Sequence, residues 1–76
     1  MNYRDLEVDE FYIYFDTILM YIGNDPTNHN KVLFKIILIP DDNVIYKISS
    51  YNKNTNTIKM LKNGLMLNSV FKLESK

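Results

Sequence analysis

The amino-acid sequence predicts an all-β fold: a small five-stranded antiparallel meander that closes into a barrel. Three observations carry this expectation. β-Branched and aromatic residues dominate the apolar segments, several of those segments alternate apolar and polar residues with a period of two, and short runs of Asn, Asp, Gly and Pro separate them. With 76 residues the chain holds a single domain, residues 1–76, with no repeat or linker, and a thin core.

The first strand is placed at residues 9–22. Phe11, Ile13 and Phe15 alternate there with Tyr12 and Tyr14, which puts the former three inward and the two tyrosines outward. The same segment carries Phe11, Phe15, Ile18 and Ile22 at helical spacing behind Asp9 as an N-cap. The alternative fold is therefore α+β, with residues 9–22 helical against a four-stranded antiparallel sheet. Gly23 to Asn30 is a run of turn formers without an apolar residue, read as the main exposed loop. Lys31 to Pro40 is the second strand, ended by a proline that cannot donate to a ladder. Asp41-Asp42-Asn43 turns the chain into a half-buried strand over Val44–Ser49, and Asn52–Asn56 is a polar loop before a strand at Thr57–Lys62. Asn63-Gly64 between apolar flanks is a hairpin signal, since both residues tolerate the positive φ of a type I′ turn. Leu65–Leu73 is the last strand, with a break near Asn68-Ser69.

From Asn43 to Phe71 the order is strand, polar loop, strand, Asn-Gly turn, strand. This stretch resembles the second half of an SH3-like barrel. The resemblance covers under half of the chain and implies architecture but no function.

Composition excludes several chemistries. Cys is absent, so there are no disulfides, no thiolate metal site and no cysteine nucleophile. Two glycines, Gly23 and Gly64, cannot build a phosphate-cradling loop. His29, the one histidine, lies in a polar stretch, where a solvated imidazole is the expected state. Asp25 with His29, and Asp16 or Glu10 as a third group, is the nearest approach to a metal set, and no metal or cofactor is expected. Asp5, Glu7, Asp9 and Glu10 form a solvated acidic edge rather than a catalytic carboxylate pair. The expectation is a protein that is not an enzyme. The apolar stretch Phe11–Ile22 falls short of the roughly 20 residues a membrane helix needs, and the polar, acidic N-terminus lacks an export signal, so a cytoplasmic location is expected. Ala and Gln are absent while Asn, Ile, Lys and Tyr abound, as codon bias in an AT-rich genome produces; that fits a phage or mobile-element product.

Charge is segregated. Residues 1–30 carry one Arg against six acidic residues, a net −5, and residues 31–76 carry eight Lys against three, a net +5, so the chain sums to zero. The acidic arm beside the tyrosines suggests a protein-binding surface of Glu7, Asp9, Glu10, Tyr12 and Tyr14, as in a small inhibitor that docks on a host or phage protein. A second reading is a small-barrel nucleic-acid binder that uses Lys47, Lys53, Lys59 and Lys62 with Tyr46 and Tyr51. Against it, that half has no Arg and the pI is near 6.5. The third is a structural subunit of a homo-oligomer.

Overall fold

A computed structural model describes residues 1–39 and 47–74. After a 3-10 turn at Tyr3–Asp5 the described chain forms β1 (Phe11–Tyr14), β2 (Thr17–Asp25), β3 (Asn28–Leu38), β4 (Tyr51–Asn52) and β5 (Thr57–Leu61). A one-turn helix α1 (Leu65–Asn68) and β6 (Val70–Lys72) follow. All the strands lie in one antiparallel sheet ordered β4-β5-β3-β2-β1-β6. The fold is all-β, and the helical alternative for residues 9–22 is excluded. The sheet does not close into a barrel of the SH3-like kind: β4 and β6 are its margins, and α1 lies against both β5 and β6.

Residues 9–22 are not one strand. The chain reverses at Phe15-Asp16, with Tyr14 paired to Thr17, and Phe15 takes φ 52° at the first position of the two-residue turn. Hairpin turns of this length favour positive φ, usually from Gly or Asn. A phenylalanine there gives no sign of a turn in the sequence. It is held by an edge-to-face contact with Tyr14, ring centroids 4.7 Å apart.

This reversal also inverts the expected faces. Tyr12, at 1% exposure, and Tyr14 point into the core, whereas Phe11 and Phe15 are exposed and Ile13 is half-buried. The physical reason is reach. A thin core tolerates a buried tyrosine whose ring fills it and whose hydroxyl arrives at its rim. The Tyr12 ring meets Phe34 edge-on at 6.2 Å, and its Oη accepts a 2.9 Å hydrogen bond from the Glu7 N–H. Tyr21 packs on the other side of Phe34 at 5.5 Å. Leu19, Val32, Ile36, Ile58, Met60, Leu67 and Val70 complete the interior.

The stretch from Gly23 to Asn30 is not a loop but the tip of a long hairpin. Asp25 pairs with Asn28 across a turn of Pro26 and Thr27, with Pro at the position where its fixed φ suits a tight turn. A bulge at Ile22–Gly23, with Gly23 at φ 122°, bends β2. Thr57–Lys62 is a strand as expected, ending at Leu61. The first half of the expected strand at Val44–Ser49 lies outside the described residues, and Lys47–Ser50 are turn and coil.

Asn63-Gly64 does not make a hairpin. Gly64 is extended, at φ −91° and ψ 164°, and serves as N-cap of α1. Leu65, Met66 and Leu67 are good helix formers with no branch at Cβ, so the chain coils rather than extends. Gly64 is required by close approach: a Cβ would stand 2.9 Å from the Leu61 Cβ. The helix inserts Leu67 into the core and delivers β6 to the far margin, beside β1.

Candidate functional site

An antiparallel sheet with one buried face ordinarily shows polar residues on the other. The outward positions of β3 and β5 partly follow that rule, with Lys31, Lys35, Thr57 and Lys59 among them. On β6, β1 and β2 the rule fails. Strand pairing aligns Phe71, Ile13, Ile18 and Leu38 in one row across four strands. Phe71 is 62% exposed and Leu38 53% exposed, and Ile37, extruded by a bulge, is exposed beside Leu38.

A second row runs next to the first. The Leu73 N–H donates to the Phe11 carbonyl at 3.1 Å, Phe11 pairs with Met20, and Met20 pairs with Lys35. Phe11 is 43% exposed and Leu73 is also exposed. Together the two rows form a contiguous apolar face on the order of several hundred Å², the size at which exposed apolar patches mark interaction sites. Its apolar side chains, with Lys35 at the β3 end, suit packing against another largely apolar surface.

The expected acidic surface is only partly assembled. Glu7, Asp9 and Glu10 are exposed, and Asp9 adopts φ 69° so that its N–H reaches the Tyr21 carbonyl at 2.9 Å. Glu7 faces the Lys72 Nζ at 3.9 Å. Tyr12 and Tyr14 are not beside them on the surface but beneath it. Burial raises the Tyr14 and Tyr21 hydroxyl pKa values above the ordinary phenol value, with the nearby Tyr12 adding to the rise at Tyr21.

The lysines of the nucleic-acid reading stand in different local surroundings. The Lys59 Nζ lies 3.2 Å from Asp25, and the Lys62 Nζ lies over the Tyr3 ring at 5.1 Å. Lys47 and Lys53 are exposed in turns. The Tyr51 hydroxyl donates to Asn56 Oδ1 at 3.1 Å, and Tyr46 lies outside the described residues. The potential metal set is dispersed as well, because Asp16 and Asp25 stand at opposite ends of β2 and His29 is exposed.

Asp25 is buried, and its role is local. Its Oδ1 accepts from the Thr27 N–H at 2.9 Å and from the Thr27 hydroxyl at 2.8 Å, while Oδ2 faces Lys59. Those hydrogen bonds, with Lys59 behind them, hold its pKa below the ordinary 3.8. A depressed carboxyl pKa stabilises the fold above the unfolded-state value, and that contribution fades as pH falls through the folded-state value. The raised tyrosine values act oppositely: their contribution is complete below the unfolded phenol value of about 10 and fades as pH climbs above it. Melting temperature should therefore drop below about pH 4 and above about pH 10. Asp25→Asn should flatten the acid limb alone, and an unchanged acid limb would remove Asp25 as its source.

No family model, curated protein or solved structure matches this chain. Among the described residues no helix is long and apolar enough to cross a membrane. Sequence reasoning missed the apolar face because it placed Phe11 and Ile13 indoors. The parity was legible, and the turn that would have set its sign was not.

Proposed function

We propose that this chain is a non-enzymatic protein-binding module that docks through the outer face of β6, β1 and β2. The carrying observation is the Phe71, Ile13, Ile18, Leu38 row: four apolar residues on four strands, on the side of a sheet where water should be. The acidic residues Glu7, Asp9 and Glu10 flank the start of β1 and supply a charged rim.

A photo-crosslinking side chain at position 71, with the same group at position 57 as an outward-facing control, tests this reading in cells of the source organism. Protein adducts are expected from position 71 and not from position 57. Adducts from neither position, or equally from both, would overturn it.

A further inference from the structure

A cleft of about 640 Å³ opens between the N-terminal arm and the residues that follow β5, within the size range of small-molecule sites. Asn2, Tyr3 and Arg4 of the arm line it together with Lys62, Asn63 and Asn68. The charged side chains in that lining are Arg4 and Lys62, and no carboxylate of the described residues joins them. The one arginine of the acidic half thus meets a lysine of the basic half, 58 residues away in the chain.

Among the described residues neither cation makes an ion pair. Both turn to Tyr3 instead: the Arg4 guanidinium carbon lies 5.6 Å and the Lys62 Nζ 5.1 Å from its ring centre, and the Arg4 Nε donates to the Tyr3 Oη at 3.3 Å. The frame is fixed on both sides. Lys62 is half-buried and its backbone N–H donates to the Asn30 carbonyl at 2.8 Å, while the Arg4 N–H donates to the Asn2 Oδ1 at 3.0 Å. Tyr3 registers the resulting field, because the hydrogen bond from Arg4, then its charge, with Lys62 adding a smaller pull, holds the hydroxyl pKa below the ordinary 10.0. Surroundings that favour a negative oxygen on Tyr3 favour one on a ligand.

From this geometry we infer that the cleft binds a small phosphate monoester, with its phosphoryl group between Arg4 and Lys62. Charge decides the anion. A phosphate monoester brings about −1.5 to −2 charges and three acceptor oxygens at neutral pH, which matches two cations, whereas a carboxylate would leave one of them uncompensated. The planar fork of Arg4 suits phosphate oxygens, and the exposed Asn63 and Asn68 amides stand ready as further donors. The organic part of the ester has its own place. A second cleft of about 420 Å³ shares Tyr3, Lys62 and Asn63 with the first and continues to His29 and Asn30. A polar body attached to the phosphate reaches it, and free inorganic phosphate does not. Phe11, Leu38 and Phe71 line neither cleft, so the site stands independently of the docking face.

Heteronuclear NMR titration of the full chain at constant ionic strength reads this, with adenosine monophosphate and glycerol phosphate as monoesters and inorganic phosphate and adenosine as controls. At least one monoester should shift the amides of Arg4, Lys62, Asn63 and Gly64 saturably and bind more tightly than inorganic phosphate, and adenosine should shift none of them. Arg4→Gln and Lys62→Gln should each weaken that monoester by about tenfold, through loss of a charge-assisted hydrogen bond. Melting temperature should change little, as neither side chain lies in the core. Lys35→Gln, at an exposed position outside both clefts, should leave binding unchanged. Absence of saturable shifts with both monoesters overturns the site, as does binding that survives Arg4→Gln and Lys62→Gln or that falls equally with Lys35→Gln. Inorganic phosphate binding as tightly as the monoesters, or adenosine as tightly as its monophosphate, overturns the ligand class.

Discussion

Tyr12→Ser should remove a large share of the protein's stability, and Phe34→Ala should do the same. The two rings form one edge-to-face pair at the centre of the sheet, and both are fully buried. Truncating a buried aromatic costs about 3–5 kcal/mol. A chain of this length has a total stability on the order of 4–11 kcal/mol, at roughly 0.05–0.15 kcal/mol per residue. Either change thus removes a large share of it. Tyr12→Phe, which keeps the ring and deletes only the hydroxyl that accepts from Glu7, should cost about 1 kcal/mol. Urea unfolding followed by circular dichroism separates these cases. A Tyr12→Ser midpoint equal to that of the parent would mean that the ring faces water and that the assigned register is wrong.

The second large effect belongs to α1, where two leucines of the same turn should differ several-fold. Leu67 is buried under the sheet and Leu65 is the most exposed apolar residue described. Leu67→Ala should cost about 2–5 kcal/mol, whereas Leu65→Ala should stay within about 0.5 kcal/mol. In a domain of this size each kcal/mol moves the melting temperature by about 4–8 °C, so a thermal scan resolves them easily. Leu67→Ala should also loosen β6, since α1 is what carries the chain to that margin, and protection of the β6 amides against hydrogen exchange should fall with it. Equal losses for the two leucines would show that the helix contributes propensity rather than packing.

The strands dense in Val, Ile and Phe were legible because their composition and their period agree. Lys31–Leu38 and Thr57–Leu61 stand where the sequence puts them. Two turns were not legible, for opposite reasons. Phe15-Asp16 reverses the chain without any turn former at the positive-φ position, so a hairpin reads as one long strand: the faces along β1 take the wrong sign, while the odd-numbered Thr17, Leu19 and Tyr21 of β2 do point inward. Asn63-Gly64 has the ideal turn composition, yet the residues after it favour coiling, and tertiary packing of Leu67 decides the outcome. The topology could not be read at all: nothing local states that β6 crosses to β1 instead of returning to β5. The candidate face follows from that topology. Phe71 and Ile13 are 58 residues apart in the chain and neighbours only through the pairing of β6 with β1.

β4 is two residues long and β6 three. Exposed sheet margins are templates on which further chains can add, and long flat ones seed fibrils. These are too brief to template a growing ladder, and the β6 margin ends at Lys72, whose charge discourages stacking of identical strands. A molecule that leaves so much greasy surface open to water thus offers a growing fibril little backbone to zip against.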